Sequence, residues 1–461
     1  MNSILQSGVR FKALPTRKQA VALARWIGCQ RFIYNGKVDE DRLFAAQRRM
    51  LLRDEPEKVV TTPLDNSTTQ FKTELTPWLK EVPSQVLRQG VCRWRTAKQR
   101  QLVGLSKAPR NRTRRDFTSV RLDADMFEFR KVSDPKSKED AYELHLGGSG
   151  KFYLGRLSFS AHRPYGIPKM LTISRNGTNW FVSFSYEHES SIILRDAHEL
   201  AYEANLLNDE ALAACTVGFD RNVKDNAFAG SNGKQYMLSD KVLERIARKR
   251  IGVARYQRQF ARKVKGSKNQ ARMRAKLANR RAYERDCLRD FAHQTSCAIV
   301  SDTSVRVIGL EALQLANMVR RPRPKKDLAS GKWARNCRRA KAGLSRALLG
   351  RALGSTVEKI KYKAYRANKL VVCVPPHHTS QECSRCGHTH PDNRHEQRFV
   401  CQRCGFAAHA DDNAATNIKK RTIAMVRSKV LEKEKPPRKR VALRRKSVKG
   451  DDTPGLPVER M

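Results

Sequence analysis

Two Cys-x-x-Cys pairs near the C-terminal end constrain this chain more than any other feature. Cys383 and Cys386 are followed, after fourteen intervening residues, by Cys401 and Cys404. Thiolates suit tetrahedral zinc, and each pair turns two sulfurs toward a common point. Four thiolates leave no open position for a reacting water, so structural Zn2+ is expected here, folding its own short segment. The other seven cysteines, Cys29, Cys92, Cys215, Cys287, Cys297, Cys337 and Cys373, lack such spacing and read as free core thiols of a reducing interior.

Charge narrows the partner. The 461 residues include 93 Lys and Arg against 45 Asp and Glu, a net charge of +48. That surplus implies a polyanion, and the basic residues recur along the chain rather than in one tail. A hydrophobic content of 39%, with Trp, Phe and Tyr spread throughout, argues against a wholly disordered basic protein. The start, MNSILQSGVRFKALPTRKQ, lacks an apolar leader core. No apolar run reaches the ~18 residues of a membrane span, so a cytoplasmic protein with no membrane partner is expected.

The patterning divides the chain. Residues 8–15 read as a short strand ended by Pro15, and 16–115 as a helical unit. In its first helix Val21, Leu23, Ala24, Ile27 and Phe32 fall near helical spacing, and a second starts at Pro83-Ser84. Residues 116–195 are short β-branched or aromatic runs, with Asn176-Gly177 as a hairpin signal. They predict a β-barrel or sandwich completed by the N-terminal strand. Residues 196–212 read as an acidic linker. A new unit over 213–380 begins with the strand ending CTVGFD and carries a basic helical hairpin over 241–300, broken at Lys265-Gly266-Ser267. The strands SVRVIGLE and LVVCVPP follow, with one helix through 341–367 between them. The cysteine segment occupies 381–405, a helix 406–426, and a basic tail with predicted disorder 427–461. The fold class is α+β, multidomain.

Three acids stand out. Asp220 closes one apolar strand and Glu311 another, while Asp411 opens the helix ADDNAATNIKK. Ala414, Ala415 and Ile418 share a helix face with Asp411, which turns that acid inward and leaves Asp412 off the face. Singly, an Asp at a strand end is usually a turn former, and one opening a helix a cap or dipole partner. Together, in a chain charged to hold nucleic acid, they fit a centre in which carboxylates hold two divalent ions ~3.5–4 Å apart. Oxygen ligands and a phosphate substrate favour Mg2+ or Mn2+.

The order of these motifs, VGFDRNVKD, GSKN at 266–269 with LRDFAHQTS, IGLEAL, TSQECSRCGH…FVCQRCG and ADDNAATNI, resembles the TnpB (OrfB) proteins encoded by insertion sequences. Through them it resembles the compact type V CRISPR effectors. WLKEVPSQVL at 78–87 is a weaker match, and the likeness covers most of residues 8–420. The resemblance implies a RuvC-like, RNase H-type nuclease domain interrupted by a zinc ribbon, and an N-terminal β-barrel wedge carrying a helical recognition insert. It implies cleavage of double-stranded DNA, beside a short flanking motif, chosen by a guide RNA. The catalytic, magnesium-binding triad would be Asp220, Glu311 and Asp411, and the zinc ligands Cys383, Cys386, Cys401 and Cys404. Three positions depart from the pattern. Asn222 stands where Gly is usual, and an Asn that tolerates positive φ preserves such a turn. Asp412 replaces an aliphatic residue, and Ala312 follows Glu311 where Asp or Asn is commoner.

The basic hairpin is read as tracking phosphates, with Lys265, Lys268 and Arg272 as candidate contacts. The loop RRPRPKK at 320–326 is either a mobile lid or a solvated insert. Three other functions share parts of the pattern: an RNA-guided repressor that occupies DNA without cutting, a transposase acting without RNA, and a CRISPR-array effector of the same fold. The intact set of acids speaks against the repressor.

Overall fold

The computed structural model describes residues 3–55, 57–58, 64–114, 116–132, 141–148, 150–190, 192–222, 228–322, 324, 331, 333 and 337–428. The tail from 429 and three residues of the RRPRPKK loop (323, 325 and 326) therefore lie outside the described residues.

Strand β1 (Ser3–Leu14) starts earlier than the patterning suggests, because a long partner, described below, pairs with it from Ser3 to Ala13. Helix α1 (Arg17–Asp54) begins at a capping box in which Thr16 and Gln19 satisfy each other's backbone N–H groups. Its buried face carries Leu23, Trp26, Ile27, Ile33, Tyr34 and Val38, whereas Val21 and Phe32 are exposed. The expected stripe was therefore rotated, since Trp26 and Ile33 set the face. Helix α2 (Ser84–Leu102) crosses α1 at Gly90, where a Cβ would stand 2.8 Å from the Gln30 carbonyl oxygen.

Strands β2 (Ser119–Asp123), β3 (Phe127–Val132), β4 (Ala141–Leu146), β5 (Gly155–Ser160), β6 (Met170–Asn176) and β7 (Asn179–Ser190) join β1 in one antiparallel sheet, ordered β2-β6-β7-β1-β5-β4-β3. Its outer strands, β2 and β3, are consecutive in sequence and joined by Ala124–Met126 alone. A flat sheet of this width would hold its edges about 29 Å apart. That linker spans about 14 Å at full stretch, so the sheet must roll up on itself. The β6–β7 turn is Gly177-Thr178, one residue later than the Asn-Gly signal, and Asn176 pairs with Asn179.

Residues 196–212 are not a linker. Helices α3 (Ala197–Leu206) and α4 (Asp209–Cys215) bury Leu200, Ala201, Ala204 and Leu212 in the core of the following unit. Their acids are largely at helix starts: Asp196 and Glu199 form a capping box, and Asp209 and Glu210 lie in the first turn of α4 behind its cap, Asn208. An acidic run there marks helix starts rather than a solvated chain.

The second unit is built on β8 (Thr216–Asp220), β9 (Phe228–Gly230), β10 (Gln235–Tyr236), and two later strands, β11 (Val307–Glu311) and β12 (Leu370–Val374). The order is β10-β9-β8-β11-β12, with β8, β11 and β12 parallel and β9 and β10 antiparallel. Between β10 and β11 run α5 (Asp240–Ala261) and α6 (Lys268–Ser301). Between β11 and β12 lie α7 (Leu315–Met318), α8 (Arg338–Leu349) and α9 (Leu353–Arg366). The single helix expected over 341–367 is thus two, parted where Ala352 takes φ +55°. After β12 come β13 (Arg394–His395), β14 (Arg398–Val400) and β15 (Ala407–His409), a small antiparallel sheet, and then α10 (Ala410–Arg427).

Alternation assigns the two faces of the larger sheet. Val217, Phe219, Ile308 and Leu310 pack in one core with Phe291, Ile299, Ile360 and Ala364 of α6 and α9. The intervening residues, Gly218 and Gly309 among them, face α10. A Cβ on Gly218 would stand 2.5 Å from the Ala415 carbonyl oxygen, and one on Gly309 would collide with Thr422 Oγ1. The two glycines let α10 lie directly on the sheet.

Candidate active site and metal centres

Asp220 and Glu311 share the parity of those glycines, so both point to the α10 side. The register Leu310↔Phe219 sets the two acids side by side at the carboxyl ends of adjacent parallel strands. Asp411 enters from the first turn of α10. Asp220 and Glu311 are 8% and 7% exposed and Asp411 is fully buried. Burial, followed by the neighbouring Glu311 and Asp411, pushes the Asp220 carboxyl up to about 7. The structure therefore brings the three acids together, and Asp412 is half-buried beside them.

Glu311 and Asp411 each have side-chain partners, whereas Asp220 is met by the backbone of Arg221. Thr379 Oγ1 donates to Glu311 Oε1 at 2.6 Å. The Arg221 guanidinium donates to the Glu311 backbone carbonyl. Asn222 Nδ2 donates to both oxygens of Asp411, at 2.9 and 2.7 Å, and Arg394 Nη2 of β13 lies 3.6 Å from Asp411 Oδ1. Asn222 is not among the residues with positive φ. Its expected part as a turn former gives way to a side-chain contact, which only the folded chain reveals.

The cysteines are closer still. Among the described residues, Cys383, Cys386, Cys401 and Cys404 are the group of three or more such side chains whose ligand atoms all lie within 4.8 Å of one another. The carboxylates do not reach that spacing. Sγ–Sγ separations are 3.7 Å for Cys383–Cys404 and 3.6 Å for Cys386–Cys401. A tetrahedral zinc with Zn–S bonds of ~2.3 Å has sulfur–sulfur edges of about 3.8 Å, so the donor set fits the ion. Each CxxC ends in a glycine of positive φ, Gly387 or Gly405, whose N–H returns to the carbonyl of the first cysteine at 2.9 or 3.0 Å. Against burial, which raises it, backbone N–H groups of Cys404 and Arg403 bring the Cys401 thiol down to about 6. The remaining cysteines are a mixed group: Cys29 is buried, but Cys297 and Cys337 are exposed.

Helix α10 ties the two centres together. Asn413 accepts from the Ser384 N–H and donates to the Glu382 carbonyl. Asn417 donates to the carbonyls of Thr379 and Glu382, and Lys420 to that of Ser384. Sequence reasoning missed Asn413, Asn417 and Arg394. The four-residue spacing of the two asparagines on the apolar face of α10 was the available signal. Lys265, Lys268 and Arg272 lie exposed around the turn of the α5–α6 hairpin, on elements separate from the acids.

The arrangement defines a class: a mixed sheet with buried carboxylates on one face, into which a four-cysteine knuckle is inserted ahead of the last carboxylate. A family model described as "Cas12f1-like, TNB domain" matches residues 354–418, and one described as "Helix-turn-helix domain" of OrfB proteins matches residues 1–40. In this structure the second match covers β1 and part of a single helix, α1. A protein of Escherichia coli (strain K12) named as RNA-guided DNA endonuclease InsQ is 27% identical over 418 residues, covering 89% of this chain and 90% of its own. One of Streptomyces pristinaespiralis, also named as an RNA-guided DNA endonuclease, is 26% identical, covering 89% and 87%. The solved structure of a Cas12f1–sgRNA–target DNA complex aligns with 91% of this chain and 99% of that one, at 11% identity and a TM-score of 0.47. By these matches the chain is similar to OrfB and Cas12f1-like proteins in its two end segments, and to RNA-guided DNA endonucleases over most of its length.

Proposed function

We propose that this protein is an RNA-guided DNA endonuclease, transposon-associated, whose RuvC-like domain hydrolyses phosphodiester bonds with two divalent ions. The observation that carries the reading is the burial of Asp220, Glu311 and Asp411 against one another, from three elements distant in sequence. Asp220 and Glu311, fixed by adjacent strands, and Asp411, fixed by α10, are hard oxygen donors suited to Mg2+ or Mn2+. When bound, such ions supply an activated water and stabilise the leaving oxygen. Thr379 holds the Glu311 carboxylate at one oxygen and leaves the other as a donor. A net charge of +48 draws a polyanion to the chain.

In this reading β1 and residues 116–195 form a β-barrel wedge, 16–115 a helical recognition insert, and 213–380 with 406–426 the RuvC-like domain. The four cysteines hold structural Zn2+ in a ribbon over 381–405 that contacts target nucleic acid. Guide RNA and double-stranded target DNA with a short flanking motif are the partners, met in the cytoplasm. No described helix is long and apolar enough to cross a membrane.

The test is cleavage of a matched target by the protein with its co-purifying RNA in Mg2+. Asp220→Ala is expected to lower the rate about 10²–10³-fold or more, the worth of several kcal/mol of metal-borne charge stabilisation. Target occupancy without product, in Mn2+ as well, would reduce the protein to an RNA-guided binder.

A further inference from the structure

We propose that Asn222 is an oxygen ligand of the divalent ion held at Asp411, and that its amide donates to that carboxylate until the ion arrives. The inference rests on the reading of the three acids as a metal site. Asn222 Nδ2 stands 2.9 Å from Oδ1 and 2.7 Å from Oδ2 of Asp411, so a single nitrogen straddles both oxygens. That fork is where a cation bound by both oxygens sits. Asp411 is fully buried, and its cationic neighbour Arg394 is farther away, 3.6 Å from Oδ1. The amide therefore meets much of the hydrogen-bonding need of a carboxylate that burial makes costly to leave unpaired.

An ion entering the fork repels the N–H donor already there. The terminal torsion of an asparagine is soft and close to two-fold, so a half-turn exchanges Nδ2 for Oδ1, and a small retreat of the side chain leaves the ion between that oxygen and Asp411. The carbonyl oxygen is a hard, neutral donor of the kind Mg2+ and Mn2+ accept. Asn222 leaves the chain two residues after Asp220, so its side chain runs from the first acid to the third. A glycine at this position would offer neither the donor nor the ligand.

Mn2+ titration of the full chain freed of nucleic acid, followed by electron paramagnetic resonance of the free ion, reads binding without catalysis. Asp220→Ala marks which bound ions belong to the acids. Asn222→Ala is expected to weaken that binding about tenfold, the lower end of effects seen around metal sites. Asn222→Asp, which keeps an oxygen and adds charge, should bind at least as tightly as wild type. Unchanged or tighter binding by Asn222→Ala overturns the proposal, because the amide would then be a plug rather than a ligand. If circular dichroism shows Asn222→Ala unfolded, Asn222→Asp decides, and weaker binding than wild type overturns it. A wild type with no Asp220-dependent Mn2+ defeats the metal reading of the acids and this inference with it, a result distinct from the others.

Discussion

The cysteine cluster and the carboxylate cluster are joined through α10 and are built in opposite ways. The cysteines are close in sequence, and two glycine-ended turns set their spacing locally. The acids come from β8, β11 and α10, so their meeting depends on the whole sheet and on how closely the helix lies on it. The sulfurs already have the spacing of a tetrahedral ion, whereas Asp411 and Glu311 are held by Asn222 and Thr379. A local motif delivers finished geometry. A dispersed one delivers proximity and leaves the last adjustment to the ligand.

The sharpest way to break this contrast is to remove a ligand from each centre and follow stability. Cys383→Ser is expected to abolish stoichiometric zinc and expose residues 381–405 to protease, since structural zinc supplies on the order of 10 kcal/mol in small fingers. Full zinc by elemental analysis would show the cluster is not the site. Asp220→Asn should do the reverse and stabilise the protein without divalent ions. The Asp220 carboxyl sits near 7 rather than its ordinary 3.8. Its stabilising neutral form is therefore complete below about pH 4 and lost as pH rises through 7, a difference of roughly 4 kcal/mol. Thermal melts should place the variant well above wild type at pH 8 and level with it at pH 4. A variant less stable at pH 8 would contradict the crowding.

The reach of α10 can be probed separately. Gly309→Ala should cost about 1–3 kcal/mol, as overpacking does, and Thr422→Ala should return part of it in the double variant by removing the colliding hydroxyl. Additive losses in denaturant melts would mean that the helix does not rest on that strand. The smallest effect belongs to the hairpin. Lys268→Ala is expected to lower the slope of log affinity against log salt for nucleic acid by about 0.7–0.9. An unchanged slope would leave Lys268 as a solvated charge.

How much of this was legible follows the same division. The apolar runs TVGFD and VIGLE located the strands and the ends at which their acids lie, because a strand buried on both faces reads as a continuous apolar run. The CxxC spacing displayed the cysteine cluster directly. What escaped was set by partners distant in sequence. The length of β1 depends on β7, and the buried stripe of α1 is decided by what α2 and the sheet present to it. Helices α3 and α4 look like solvated chain until their apolar side is docked on β12 and α10. The break at Ala352 is flanked by Gly350, the C-cap of α8, and by Gly354, a signal that the helical pattern over 341–367 masked. Asn222 was visible as an anomaly, yet its contact with Asp411 spans 189 residues.

The seam made by Asn413, Asn417 and Lys420 has a consequence for how such a chain tolerates change. These side chains fasten residues 379–384 to α10, closing the excursion at its base. The excursion is nonetheless no interchangeable pendant: the Gln397 carbonyl accepts from the Ala410 N–H and Arg394 lies 3.6 Å from Asp411 Oδ1, so exchanging the span between Cys386 and Cys401 would shift the footing of the last carboxylate.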